Sequence, residues 1–239
     1  MDDHDKAALA RIEKLRQCAM PPATSSHIST ALKASASSGI PVVEATMQPA
    51  LRPLRSEHAQ HTYEREMLWE KCCPQLKRHR LNLNVEFEGS DEDDVWDQIV
   101  TGGFAVLVGP YGTGKTQLAV KLAHRACFTK GMRSAYSTAH DLFESMRKEF
   151  DDGGQGTHAG RMAMVPLLIL DEIGAMTEFE TKEFRRIVDR RYAAMKPSIY
   201  ISNRTTDEFA KDVGPAVIDR LRECGTVIEM DGPSRRVAQ

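Results

Sequence analysis

The chain lacks any apolar run long enough to cross a bilayer. The longest nearly unbroken stretch, Met162 to Leu170, has nine residues and contains Pro166, about half of the roughly 20 that a spanning helix needs. No membrane partner is expected. It also lacks an excess of one charge: 32 Lys and Arg stand against 34 Asp and Glu, for a formal net charge of −2. That excludes a protein that coats nucleic acid by bulk charge and makes any such contact local. The five cysteines, Cys18, Cys72, Cys73, Cys127 and Cys224, include no CxxC. An odd count without paired spacing fits reduced thiols and not a disulfide framework. His58, His61, Cys72, Cys73 and His79 are metal-donor types, yet adjacent cysteines serve one tetrahedral centre poorly and no second paired motif exists, so no zinc site is expected. The opening Met1-Asp2-Asp3-His4-Asp5 is acidic where a secretory or transit peptide is basic, which predicts a cytoplasmic protein.

What is present is ordinary globular material, 41% hydrophobic and 28% charged over 239 residues, enough for one full domain and a small appendage. Residues 1–20 contain an amphipathic helix, with Ala8, Ile12, Leu15 and Ala19 at helical spacing. Residues 21–55 are rich in Ser, Thr, Ala and Pro and read as a flexible linker. Residues 56–85 form a helical, basic segment: a helix from Ser56 to Cys73 that stops near Pro74, then Lys77, Arg78, His79 and Arg80. After the acidic stretch Glu86 to Asp97, short apolar runs alternate with helical patterns, the signature of parallel βαβ units. Residues 86–239 are therefore predicted to be an α/β domain with a parallel five-stranded sheet flanked by helices. Strands are expected at Phe104–Val108, Ser134–Ser137, Leu167–Leu170, Ser198–Ser202 and Thr226–Met230, with helices at about 114–129, 139–149, 177–195, 206–212 and 215–223. Leu167-Leu168-Ile169-Leu170 is apolar throughout, as a strand buried on both faces requires.

Gly109-Pro110-Tyr111-Gly112-Thr113-Gly114-Lys115-Thr116 matches the G-x4-G-K-[ST] phosphate-binding loop between a strand and a helix. The backbone there must curl until its N–H groups converge on a phosphate, and side chains at Gly112 or Gly114 obstruct that approach. Lys115 reaches the β- and γ-phosphates of ATP, Thr116 completes Mg²⁺ coordination, and Gln117 follows in the first helical turn at its positive dipole end. Leu167 to Gly174 reads LLILDEIG, an apolar strand ending in two acids with two jobs: Asp171 for hydrated Mg²⁺, and Glu172 to polarise the attacking water. Asn203 follows another apolar strand, where its amide reaches a γ-phosphate or the lytic water; an Asn there is also a common turn residue. Arg220 and Arg222 lie on a late helix. Either suits a guanidinium delivered to a neighbouring subunit's γ-phosphate, and chemistry alone does not choose between them.

From about Phe104 to Val237 the sequence resembles the AAA+ ATPase domain of the DnaC-type bacterial replicative helicase loaders, a family close to the transposition helper ATPase IstB. The resemblance is carried by LLILDEIGAMTE, by IVDRR (Ile187 to Arg191), by ISNRT (Ile201 to Thr205) and by VIDRLRE (Val217 to Glu223). It implies nucleotide and Mg²⁺ binding by Lys115 and Thr116, a Walker B pair in Asp171 and Glu172, sensor 1 at Asn203, and Arg220 in preference to Arg222 as the arginine finger, so that copies associate through Arg220. It implies as partners a replicative ring helicase and single-stranded DNA, or a transposase if the chain follows the IstB branch. It further suggests that the helix Asp141 to Phe150 lines a DNA surface, with Phe150 stacking on a base and Arg147 and Lys148 meeting phosphates; equally, Leu142, Phe143, Met146 and Phe150 fit the core face of an amphipathic helix. The chain departs from the family near its end, reading Gly232-Pro233-Ser234-Arg235-Arg236 where an aromatic residue followed by Arg is usual, so no sensor 2 role is carried over. Residues 1–85 show no match, and in such loaders that region contacts the helicase.

Overall fold

A computed structural model of the chain describes residues 57–87, 91–153 and 157–235. The expected helix within 1–20 and the linker 21–55 lie outside them. Five strands form one all-parallel sheet: β1 (Phe104–Val108), β2 (Ser134–Thr138), β3 (Leu167–Asp171), β4 (Ser198–Ile201) and β5 (Gly225–Glu229), in the order β2-β3-β4-β1-β5. β1 is thus an interior strand, paired with β4 (Val106 beside Tyr200) and with β5 (Val106 beside Val227). Alternation along the strands separates two cores. Ala105, Leu107, Leu167, Ile169, Ile199 and Ile201 face one; Phe104, Val106, Val108, Leu168, Leu170 and Tyr200 face the other. Both faces are dry, as a parallel sheet demands.

One face is covered by α1 (Glu57–Trp69), the single turn α2 (Lys77–Arg80), α3 (Asp91–Thr101) and α4 (Lys115–Lys130). The division expected at residue 85 runs through one compact unit spanning Arg52–Gln239. Trp69, Cys72 and Cys73 belong to the same core as α4, and Gln75 Nε2 donates to Tyr136 O at 2.6 Å. The cysteines serve as small buried apolar groups: Ser134 N donates to Cys72 Sγ at 3.4 Å, and burial pushes the Cys73 thiol up to about 11. α1 also stops at Trp69, short of the expected Cys73, because the chain turns there to bury those thiols.

The other face carries α5 (Ala139–Asp151), α6 (Thr157–Met164), α7 (Glu178–Ala193), α8 (Thr206–Val213) and α9 (Pro215–Cys224). Local sequence sets their starts. Thr177 with Glu180, and Thr205 with Glu208, form capping boxes that satisfy the first orphan N–H groups of α7 and α8, and Pro215 follows Gly214 at the first turn of α9. Two helices were not expected. α3 hides in the acidic stretch, because Asp91, Glu92, Asp93 and Asp94 fill its first turn, where negative charge favours a helix N-terminus. α6 occupies the front of the apolar run that Pro166 breaks.

α6 depends on a side chain far along the sequence. Arg191 of α7 is 0% exposed and, among the described residues, bonds no carboxylate: its Nη1 donates to the carbonyls of Met162, Ala163 and Val165, Nη2 to Pro166 and Pro197, and Nε to Ser198 Oγ at 2.6 Å. Lys196 Nζ takes the Met164 carbonyl at 2.7 Å. The unpaired C-terminal carbonyls of α6 are thereby satisfied, and α6, β3, β4 and α7 are tied at one point. Burial lowers the Arg191 guanidinium to about 10, which leaves it charged at neutral pH.

Candidate active site

The loop 109–114 joins the carboxyl end of β1 to α4. Gly109, Gly112 and Gly114 all have positive φ (128°, 85° and 105°), and a Cβ on Gly109 would lie 2.5 Å from Met230 O, so glycine is required there by both conformation and space. Lys115 is 5% exposed, and its ammonium lies within the loop, donating to Gly109 O and Pro110 O at 2.7 Å each. Thr113 is buried beside it, its hydroxyl on Pro110 O at 3.2 Å. Pro110 and Tyr111 are exposed at the rim. Gln117 differs from expectation: its side chain donates to the carbonyls of His79 and Asn82, at 3.1 and 2.5 Å, so only its backbone is left for a nucleotide.

The two acids follow β3, next to this loop. Asp171 is buried. Its Oδ2 accepts from Thr116 Oγ1 at 2.7 Å and from Tyr136 OH at 3.2 Å, and its Oδ1 accepts from Glu172 N at 2.7 Å. A threonine hydroxyl and a carboxylate oxygen meeting at one point form a hard-oxygen pair suited to Mg²⁺. Tyr136, on β2, is a site residue that sequence reading missed. Burial, and then the Asp171 charge, hold its phenol far above the usual tyrosine range, so it stays a neutral donor.

Glu172 is exposed and left-handed at φ 59°, a costly conformation for a residue with a Cβ. It is fixed on both sides: behind it by Asp171 Oδ1, and ahead by Ile173 N on Ile201 O at 2.9 Å, with Ser202 Oγ on Ile173 O at 2.5 Å. Asn203, half-buried, comes two residues after the end of β4. Its flanks are tied to the loop strand, since Ser202 N donates to Leu107 O at 2.9 Å and Gly109 N donates to Arg204 O at 3.2 Å. The expected strand end at Ser202 falls one residue earlier, at Ile201, where the Ser202 hydroxyl turns to the acidic loop.

The chain's final described residues also reach the loop. Arg235 N donates to Gly112 O at 2.8 Å. Its guanidinium bonds Glu86 O at 2.8 Å and lies over the Phe87 ring at 4.8 Å. Arg236 falls outside the described residues.

Two groups of predicted residues sit apart from this cluster. Arg220 on α9 is ion-paired with Asp189 of α7, while Arg222 is exposed. On α5, Leu142, Phe143 and Met146 are core, but Phe150 is 75% exposed and is not the last core residue of the helix. Arg147 pairs with Glu180 at 3.7 Å and lies over the Phe179 ring at 5.4 Å; Lys148 pairs with Glu144 at 2.7 Å. The groove of about 430 Å³ between α5 and α7 is lined by Arg147, Lys182 and Arg186 but also by Glu149, Asp151 and Glu183. It is mixed in charge.

Comparison with known proteins agrees with this geometry. Residues 97–239 match the family of IstB-like ATP-binding proteins. The chain is 31% identical over 180 residues to the replicative helicase loader DnaC of Escherichia coli K12, covering 72% of each chain. It is 30% identical over 142 residues to the ATP-binding protein of insertion sequence IS21 from Pseudomonas aeruginosa, covering 56% of this chain and 52% of that one. The crystal structure of the DnaC helicase loader superposes with a TM-score of 0.58 at 20% identity, covering 65% of this chain and 99% of that one, which shows the fold, an AAA+ P-loop domain.

Proposed function

Because the chain belongs to the IstB-like ATP-binding protein family, we propose that it is an Mg²⁺-dependent ATPase whose copies associate side by side and act as a loader of a replicative ring helicase on single-stranded DNA. The observation that carries the ATPase reading is the junction of Thr116, Asp171 and Glu172 beside the glycine loop. Thr116 and Asp171 would hold Mg²⁺, which would supply neutralisation of the charge that develops during phosphoryl transfer. The chain's own groups do the rest. The loop N–H groups and Lys115 hold the phosphates, and Glu172 orients the water and takes its proton. Asn203 contacts the γ-phosphate, and Arg220 of a neighbouring copy stabilises the transferring group. Nucleotide contacts at the junction between copies favour one assembly, and hydrolysis removes them.

The loader reading is favoured by the longer match to the replicative loader, 72% of each chain against 56% and 52% for the IS21 protein. A transposition helper that recruits a transposase is the second reading, and the same family match supports it. Partner docking falls to residues 1–80, which include the exposed Lys77 and Arg78, and the α5–α7 groove with Phe150 meets single-stranded DNA.

The test is turnover by mixed subunits. Arg220→Ala and Lys115→Ala chains are each expected to be inactive alone, the latter unable to retain ATP. Mixed with magnesium, ATP and a single-stranded oligonucleotide, they are expected to recover part of wild-type phosphate release, because the first keeps its loop and the second its guanidinium. No recovery at any ratio overturns the shared site. Unchanged ATP affinity in Lys115→Ala overturns the phosphate-loop assignment. Capture of a ring helicase by the full chain supports the loader, and capture of a transposase in its place supports the helper.

A further inference from the structure

Two of the sequence signatures, IVDRR and VIDRLRE, are separate in the chain but meet in the fold. Asp189 of the first lies on α7 and Arg220 of the second on α9, and Arg220 Nε is 2.6 Å from Asp189 Oδ1, an ion pair whose angle is not that of a hydrogen bond. The same guanidinium donates through Nη1 to Ala216 O at 2.9 Å, one turn back on its own helix. Its carbon lies 5.8 Å from the centre of the Tyr192 ring, which α7 presents one turn beyond Asp189. Tyr192 is itself pinned to α9, its hydroxyl donating to Glu223 Oε2 at 2.6 Å. The other oxygen of Asp189 faces Arg185 Nε at 3.8 Å. A carboxylate, a carbonyl and an aromatic face therefore fix a side chain that would otherwise sample many rotamers. Arg222, two residues on, is exposed.

We propose that Asp189 is a positioning residue for Arg220: it holds the guanidinium in the attitude in which a neighbouring copy's phosphate receives it. This rests on the reading of Arg220 as a group donated in trans. An ion pair of this exposure, 27% for Arg220 and 38% for Asp189, does little for the stability of a fold, so its value lies in preorganisation. A guanidinium already oriented loses little freedom when the interface forms. Released, it must be ordered at the moment of reaction, and misplacement by about 1 Å is enough to cost on the order of a hundredfold in rate. The pair also gives a physical reason for Arg220 to act in preference to Arg222, a choice that charge and spacing alone leave open.

The experiment uses the full-length chain with magnesium, ATP and a single-stranded oligonucleotide. Asp189→Ala is expected to lower kcat about tenfold to a hundredfold with KM for ATP unchanged, and Asp189→Glu to recover part of the loss. Because the defect lies in the donated group, Lys115→Ala subunits should rescue Asp189→Ala as they rescue Arg220→Ala. Asp189→Asn, which keeps size and removes charge, guards against a folding defect, and it should show the same split between kcat and KM. Rescue of Arg220→Ala together with unchanged or raised turnover in Asp189→Ala removes this proposal alone, raised turnover marking the pair as a restraint on the finger. Failure of Lys115→Ala subunits to rescue Asp189→Ala while rescuing Arg220→Ala also removes it. Failure to rescue Arg220→Ala removes the donated finger itself and this proposal with it.

Discussion

At the carboxyl ends of β1 and β3 the key side chains are held by one another, whereas along the α5–α7 groove they are held by their opposites. Lys115 is enclosed by loop carbonyls, and Asp171 accepts from Thr116, Tyr136 and the backbone of Glu172. Along the groove, Arg147 pairs with Glu180 and Arg186 with Glu183, on the surface of the protein. The first arrangement is preorganised for charge that appears in a transition state. The second is screened and exchangeable, suited to a ligand that binds loosely and in many registers. The contrast predicts that substitutions at the strand ends act on rate or fold, and that those in the groove act on affinity alone.

The largest effect should come from Glu172→Gln, which leaves the anchors of Asp171 untouched and removes only the proton acceptor. ATP should still be retained while phosphate release falls about 10²- to 10⁴-fold, the range of a general base, read in single-turnover assays. Wild-type turnover in that variant would take Glu172 out of the chemistry and make its left-handed φ of 59° a feature of the fold alone. Arg191→Ala probes the same rigidity from behind the sheet. It takes the guanidinium from five carbonyls, three of them in buried bonds, and from Ser198, leaves a cavity, and should cost about 3 to 5 kcal/mol in denaturant unfolding. Arg191→Lys should recover little, since one ammonium cannot reproduce a planar fork. A loss under about 1 kcal/mol would show that water replaces the guanidinium at no penalty.

How much of this the sequence reveals depends on whether the interacting groups are neighbours in the chain. The glycine loop, Lys115 and Thr116 are legible because the phosphate cradle is contiguous, and the acids because a strand delivers them together. The five strands are legible, within a residue or so at their ends, because burial on both faces leaves apolar runs. Tyr136, Asp189 and Arg191 are not. Their partners lie 35 residues away for Tyr136, 31 for Asp189 (220 − 189) and about 26 for Arg191, and nothing local distinguishes them from surface residues. α3 is hidden for another reason: its acids look like a loop until the helix dipole they complement is known. Gln117 misleads in the opposite sense. Its place beside the loop suggests a ligand contact, but its amide caps the carbonyls of His79 and Asn82 and binds the preceding segment to α4.

The smallest effect should be in the groove, and it separates the two readings of α5. Phe150 is 75% exposed at the end of a helix whose core positions are already filled by Leu142, Phe143 and Met146, so Phe150→Ala should leave the unfolding free energy within about 0.5 kcal/mol of wild type. If the ring stacks on a base, the same change weakens oligonucleotide binding by about 1 to 3 kcal/mol and leaves ATP turnover without DNA unaltered. Arg147→Ala should weaken binding less, because Glu180 at 3.7 Å already offsets part of its charge, and its loss should shrink as salt rises. Equal oligonucleotide affinity for wild type and Phe150→Ala, measured by anisotropy at low salt, would leave the exposed ring for a protein partner and remove α5 from DNA contact. The aromatic face, not the charge count, is therefore the quantity to vary, since Arg147 and Arg186 in the groove already have acids of their own.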